Sequence, residues 1–198
     1  MFVVLPGLNV SVWTYALSPR DLDIYFLDVG QGDAAFLRFP NCKTMVVDGG
    51  ERSERFDYGA RVLVLFLRHM GIGRVDVVVA SHPHNDHIGG LVALLQQVEV
   101  GHCVDGGQRY DSWTARRIRE LSAERGVQYH RVAAGDSLVG LGGVGGLILH
   151  PNEEFVDASG VSAAGLNNGS VAFRLEHGEV NMLFTGDLEE ETDGAILA

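Results

Sequence analysis

The sequence predicts a mixed α/β domain built in layers, mainly because of the order in which strand and helix patterns occur. Short apolar runs over 23–27, 34–39 and 44–47 come first, and Gly, Pro or Asn turns separate them. Alternating strand and helix patterns follow, and the chain returns to strands after Gly135. This order is typical of layered α/β domains.

The middle of the chain supplies the helices. Residues 60–70 and 88–97 have helical apolar spacing, and 112–125 form an amphipathic pattern closed by Gly126. Between the first two helices, 75–80 is a β-branched run of the kind found in strands buried on both faces. The remaining predicted strands are 100–104, 127–132, 144–149, 171–176 and 180–184.

Length and charge limit what the chain can be. Its 198 residues suffice for one domain with a sizeable core, and 46% hydrophobic residues exclude a disordered chain. The formal net charge of −11 repels a nucleic-acid backbone unless basic residues cluster or metal ions offset it. The basic cluster of one predicted helix is interpreted as a solvated face, with acidic residues interleaved among Arg116, Arg117, Arg119 and Arg125.

The sequence predicts two segments of unequal size: an N-terminal leader or strand at 1–20, and the domain itself at 21–198. Pro6 and Gly7 interrupt the apolar N-terminus far short of the ~20 residues of a membrane span, so no intrinsic transmembrane segment is predicted. The two cysteines have no zinc-binding spacing, which favours a reducing compartment. We expect a cytoplasmic soluble domain, or alternatively an extracytoplasmic domain of a membrane protein.

A dense set of metal-binding residue types follows the buried strand at 75–80. His82, His84, Asp86 and His87 form the pattern HxHxDH. On an extended segment His82 and His84 point the same way, so both imidazoles can reach one ion. The chain then turns into a helix that carries Asp86 and His87 toward a second ion. Imidazole and carboxylate ligands together suit zinc, or manganese or iron where carboxylates dominate.

Two carboxylates elsewhere support a binuclear site. Asp187 follows the strand at 180–184 beside Gly186, which admits close approach, so this carboxylate could bridge two ions. Asp48 stands at another strand end, before Gly49, and could accept a hydrogen bond from a ligand histidine.

These motifs resemble a known family. The HxHxDH block, Val-Asp-Gly-Gly at 47–50 and Thr-Gly-Asp at 185–187 resemble the metallo-β-lactamase superfamily. More narrowly, four segments resemble the hydrolase domain of the ComEC family of DNA-uptake competence proteins, from about residue 21 to the C-terminus. These segments are 26–34, 81–90, 167–170 and 184–188.

The resemblance implies a four-layer αββα sandwich with the site at the sheet edge. It makes His82 and His84 ligands of the first metal, and Asp86 and His87 ligands of the second. Asp187 then bridges the two ions, and Asp86 also orients the attacking hydroxide.

Two departures from the family pattern stand out. The third histidine of the first metal is expected near 166–170, but Asn167 and Asn168 stand there. Asparagine can supply an oxygen ligand or a substrate contact, and His150 is the nearest alternative histidine. The final strand–helix portion, with its last metal-binding histidine, is expected to be missing, so the C-terminal portion is predicted to be truncated.

The function implied is that of a metal-dependent phosphodiesterase, a DNA nuclease that uses a metal-bound hydroxide. Two divalent ions are expected, with zinc favoured and manganese as the alternative. A membrane channel domain is an expected partner in a full-length homologue. One alternative is an ester, thioester or lactam hydrolase on the same fold, because fold does not choose the substrate. Another is a truncated, weakly active metal-binding module of a larger protein.

Overall fold

The computed structural model describes residues 21–152, 154–157, 160 and 165–196. The leader or strand predicted at 1–20 lies outside the described residues.

The first sheet is mixed, with strand order β1-β2-β3-β4-β5-β6. The first three strands pair antiparallel, and β3 to β6 pair parallel. Val78 lies at the centre of the parallel part, opposite Val46 on one neighbouring strand and Cys103 on the other. The strands are β1 (Asp23–Phe26), β2 (Ala35–Arg38), β3 (Thr44–Val47), β4 (Arg74–Val79), β5 (Glu99–Asp105) and β6 (Gln128–Arg131).

The second sheet is antiparallel, with order β10-β9-β8-β7. The hairpin predicted from 171–176 and 180–184 is confirmed, since His177 pairs with Val180 at its closed end. The two residues of β7 are too few to show a period, so the sequence did not predict this strand. The strands are β7 (Ser137–Leu138), β8 (Gly145–His150), β9 (Ala172–His177) and β10 (Val180–Phe184).

The helices of the described residues differ from the predicted ones mainly at their N-terminal ends. A π-helical turn at Gly59–Leu63 precedes the first helix. The helix predicted at 88–97 begins earlier, at Asn85, and is broken at Gly89 and Gly90, so two candidate ligands lie on a short helix. The helices are α1 (Val64–His69), α2 (Asn85–Ile88), α3 (Leu91–Gln97), α4 (Trp113–Glu124) and α5 (Asp193–Ile196).

Two apolar clusters define the layers. One packs helices against the first sheet and includes Leu94, Val78 and Ile118. The other fills the space between the sheets and includes Phe173 and Met45. The short helix α5 contacts β8 of the second sheet. The structure thus confirms a layered α/β fold.

Within the ranges that the structure describes, no helix has the length and apolar character needed to cross a bilayer.

The two cysteines differ in accessibility, which gives a direct test of the packing. Cys103 is fully buried on β5, and burial raises the pKa of its thiol, whereas Cys42 is exposed. Because the thiolate is the reactive form, Cys103 should be inert in the folded protein. With Ellman's reagent at pH 8 we expect one reactive thiol per native chain and two in 6 M guanidinium. Rapid native reaction of a Cys42→Ser variant would contradict this packing.

Candidate metal centre

The site begins where two parallel strands end side by side. Val47 of β3 lies opposite Val79 of β4, so Asp48 and Ser81 emerge at the same sheet edge. Asp48 is buried, with Oδ1 2.8 Å from the Ser81 amide nitrogen and Oδ2 2.6 Å from Ser81 Oγ. Its φ of 55° is in the left-handed region, which aspartate tolerates better than most residues. The carboxylate thereby ties the two strand ends together.

The same carboxylate orients His87, on the short helix α2. His87 Nδ1 lies 2.9 Å from Asp48 Oδ2, so the ring donates its Nδ1 proton to Asp48 and turns Nε2 outward. Burial by itself lowers the pKa of His87. The hydrogen bond to Asp48 and the charges of Asp48 and Asp187 outweigh that effect and raise the pKa to about 9.

Ser81 fixes the second histidine in a related way. Its hydroxyl donates to Asp48, so the Ser81 oxygen accepts from Nδ1 of His82 at 3.1 Å. His82 therefore carries its proton on Nδ1 and offers the lone pair of Nε2 to the site. Burial, followed by the nearby charge of His87, lowers the pKa of His82 to about 4.

Three ligand atoms converge at the centre of the site. Asp187 Oδ2 lies 3.3 Å from His87 Nε2 and 3.9 Å from His82 Nε2. Candidate ligand atoms of these three residues all lie within 4.8 Å of one another. The structure thus brings together side chains that are separated by 100 positions in the sequence.

His84 extends this group on the side of His82. His84 Nδ1 lies 3.0 Å from His82 Nε2. Two nitrogens on one tetrahedral ion, each about 2.0–2.1 Å from it, are about 3.3 Å apart. The observed spacing is therefore close to that of two imidazoles sharing an ion.

Asp33 forms part of a second group that the sequence reasoning missed. Ligand atoms of Asp33, Asp48 and His87 lie within 4.8 Å of one another. Burial raises the pKa of Asp33, and the positive charge of His87 opposes that rise. Asp33 closes the Gly-Gln-Gly-Asp turn after β1, and this local sequence indicates no more than a turn residue. The feature of the sequence that points to a functional role for Asp33 is its place in the segment 26–34, which resembles the ComEC family.

Asp86 belongs to neither of these groups, although its charge raises the pKa of both Asp33 and His87. The turn before Asp33 packs directly on its backbone. A Cβ at Gly32, where φ is +96°, would lie 2.0 Å from the Asp86 carbonyl oxygen. Only glycine fits that approach. The structure places Asp86 beside the centre, and a direct contact with an ion stays a prediction.

The two asparagines lie on a 3₁₀ turn at Asn167–Gly169. Their amide nitrogens bind the carboxylate of Glu189, at 3.0 Å from Asn167 and 3.3 Å from Asn168. The Glu189 amide in turn donates to Asn168 Oδ1 at 2.9 Å. This connection fixes the segment that follows Asp187. A role for either asparagine as a ligand or substrate contact stays a prediction.

His150 is the alternative histidine that the sequence offered, and a contact with an ion or substrate stays a prediction. His150 is buried at the end of β8, with Nδ1 2.9 Å from the Ser170 carbonyl oxygen. Burial lowers its pKa. His150 belongs to neither group of candidate ligands in the described residues, which favours a structural role.

Two stacked sheets with histidines and aspartates at their strand ends define a metal-dependent hydrolase fold. The chain belongs to the metallo-beta-lactamase superfamily, whose sequence pattern matches residues 27–196.

One relative is similar over most of this chain. ComE operon protein 3 of Bacillus subtilis (strain 168) is 27% identical over 198 aligned residues. The alignment covers 94% of this chain but 24% of the relative, so the chain spans about a quarter of that protein's length.

Solved structures share the fold at lower identity. Metallo-beta-lactamase SMB-1 is 19% identical with a TM-score of 0.52, and the match covers 84% of this chain and 64% of that one. The metallo-beta-lactamase fold protein YhfI from Bacillus subtilis is 15% identical with a TM-score of 0.51. That match covers 86% of this chain and 65% of YhfI. CmlA beta-hydroxylase is 19% identical with a TM-score of 0.51, and the match covers 93% of this chain and 34% of that one. The chain thus spans less than two thirds of each of these proteins.

Proposed function

We propose that this chain is a phosphodiesterase of the ComEC-like type, acting on DNA with two divalent ions. The observation that carries the proposal is the convergence of His82 Nε2, His87 Nε2 and Asp187 Oδ2, with His84 alongside. The resemblance to the ComEC family of DNA-uptake proteins supports DNA as the phosphodiester, and the similarity to ComE operon protein 3 agrees with that resemblance.

The donor set fits divalent ions. Neutral imidazoles with carboxylates are the ligands that zinc prefers, and a larger carboxylate share suits manganese. His82 and His84 would hold one ion. His87, together with Asp33 or Asp86, would hold the other. Asp187 would lie between them. We propose zinc as the resident metal and manganese as the alternative.

Each side chain would have a distinct task in phosphodiester hydrolysis. Ions bound here would lower the pKa of a water and stabilise charge on phosphate oxygens. Asp48 and Ser81 hold the two histidine rings so that both Nε2 atoms face the centre. Asp86, beside the centre, would orient the attacking water. The arrangement is preorganised, because both rings are already fixed by hydrogen bonds.

We further propose that the domain at 21–198 functions as part of a longer protein that includes a membrane channel. The chain's coverage of a quarter of ComE operon protein 3 supports a longer protein, and the resemblance to the ComEC family suggests the channel.

The test combines metal content with DNA cleavage. We expect elemental analysis to find about two zinc or manganese ions per chain, falling by one or more in His82→Ala and Asp187→Ala. The metal-loaded protein should release nucleotides from single-stranded DNA, and both variants should reduce the rate by about 100-fold or more.

His177→Ala is the matched control, because it removes a histidine from the β9–β10 hairpin end. It should retain both metal and activity. Turnover of p-nitrophenyl acetate or a lactam without phosphodiester cleavage would contradict the proposed substrate. Metal binding with no hydrolysis of any of these substrates would instead indicate a binding module.

A further inference from the structure

An open cleft of about 600 Å³ lies between the loop after β5, the middle of α4 and β6. Three arginines and two tyrosines line it: Arg109, Arg119, Arg131, Tyr110 and Tyr129. A cationic and aromatic lining is unexpected in a chain with a net charge of −11.

Arg119 does not share the environment of its neighbours on α4. Arg117 binds Glu120 and Glu124 on the outer face of the helix, at 3.0 and 3.1 Å. That face matches the solvated cluster expected from the sequence. Arg119 instead lines the cleft, so the structure separates one member of the cluster from the rest.

Two of the three cleft arginines keep their charge available. In the ranges that the structure describes, the side chains of Arg109 and Arg119 have no hydrogen-bond or ion-pair partner. Arg131 has a structural task, because its Nη2 donates to the Val156 and Asp157 carbonyl oxygens. Free guanidinium groups are suited to bidentate binding of phosphate.

The acidic groups of the cleft are largely engaged. Asp111 pairs with Arg116 of α4. The Asp105 carboxylate accepts hydrogen bonds from the Tyr129 hydroxyl and the Gly107 amide, and it lies near Arg119. Because Asp111 is paired with Arg116, Asp105 alone opposes the three arginines that line the cleft, and the net charge of the lining is positive.

One aromatic side chain of the cleft, Tyr110, lies near the metal centre. The ring centroid of Tyr110 is 6.4 Å from that of His84, and 38% of Tyr110 is exposed. An exposed ring at this point can stack on an unpaired base, while cations on either side contact the backbone.

We propose that this cleft binds the strand of a single-stranded nucleic acid that leads into the metal centre. Arg109 and Arg119 bind successive phosphates, and Tyr110 stacks on the base next to the scissile bond. The inference rests on the proposed function, since it assigns the substrate track of that site. The carboxylates of an acidic peptide could bind the arginines, but they offer nothing that stacks on the Tyr110 ring.

The experiment measures binding without cleavage. A fluorescein-labelled 12-nucleotide thymidine strand is titrated by anisotropy in calcium, with the strand's integrity checked on a gel. We expect Arg109→Gln/Arg119→Gln to weaken binding about 10-fold or more, and to reduce the salt slope by about 0.7 per lost phosphate contact. Tyr110→Ala should weaken binding about 5-fold or more, while Tyr110→Phe retains it.

Arg117→Gln is the control for the single variant Arg119→Gln, with the same charge change on the outer face of α4. It should bind like the parent protein. Equal effects of Arg117→Gln and Arg119→Gln, or equal competition by poly-glutamate, would overturn the cleft assignment.

A second substrate separates this inference from the proposed function. Bis(p-nitrophenyl) phosphate has a single phosphate and no strand on either side of it, so losing Arg109 and Arg119 should reduce strand cleavage about 10-fold more than hydrolysis of this diester. An equal loss with both substrates would assign these residues to the centre and overturn the inference. Cleft-dependent strand binding by a protein that hydrolyses no phosphodiester would refute the proposed function alone.

Discussion

Asp48→Asn is expected to weaken divalent-ion binding by about 10- to 100-fold while leaving a folded protein. One Asp48 oxygen accepts from the Ser81 amide, and the other accepts from both the Ser81 hydroxyl and His87 Nδ1. An amide group can keep the first of these contacts. Its NH₂ would then face two donors, and His87 would turn or move its proton onto Nε2. The measurement is zinc titration by calorimetry, together with thermal unfolding in EDTA.

The control for this variant is Asp136→Asn. Asp136 is exposed on the turn before β7, and its carboxylate accepts one backbone hydrogen bond, from the Ala133 amide at 2.9 Å. The substitution removes the same charge from a polar turn, so ion affinity should stay within about twofold of the parent. Wild-type affinity in a folded Asp48→Asn protein would show that the hydrogen bond to His87 does not organise the site.

Gly90→Ala is expected to destabilise the protein by about 3 kcal/mol or more, the upper end for overpacking. A Cβ at Gly90 would lie 1.9 Å from the Gly49 carbonyl oxygen and 2.7 Å from the Gly59 Cα. All of these are backbone atoms, so no side-chain rotation can relieve the clash. The Gly90 amide also donates to the Gly50 carbonyl at 2.8 Å. Relief of the clash would therefore separate the loop after β3 from the helices that carry His87.

Urea unfolding followed by tryptophan fluorescence measures this effect. Gly73→Ala is the matched control, since a Cβ there would have no neighbour within 4 Å. We expect the control to change the free energy of unfolding by less than about 1 kcal/mol. Similar stabilities for the two variants would mean that the close approach of the glycine loops is not needed.

The predicted fold class rested on local patterns, and those patterns were sufficient for most strands. Val-rich runs such as Arg74–Val79 have few polar interruptions, so their strand character follows from their own residues. Boundaries were less certain where a tertiary contact decides them. The break after Ile88 depends on Gly90 meeting Gly49, two residues that are far apart in the sequence.

The candidate site also contains residues that the sequence alone could identify and one that only the tertiary structure identifies. HxHxDH lies within six residues, so its members are close in any fold and the sequence alone could identify them. The contribution of Asp33 depends on the turn after β1 packing against the helix that carries Asp86. No local period records such a contact, and an aspartate in a glycine-rich turn is ordinary.

The sequence by itself determined the metal-binding residue types, the layered α/β class and the solvated face of α4 at Arg117. The tertiary structure decided which histidine nitrogens meet Asp187, how Ser81 and Asp48 orient them, and that Arg119 faces a cleft. The reason is physical. Spacing along the chain fixes residues that are near in sequence, whereas contacts across 30 to 100 residues depend on strand order and on the packing between layers.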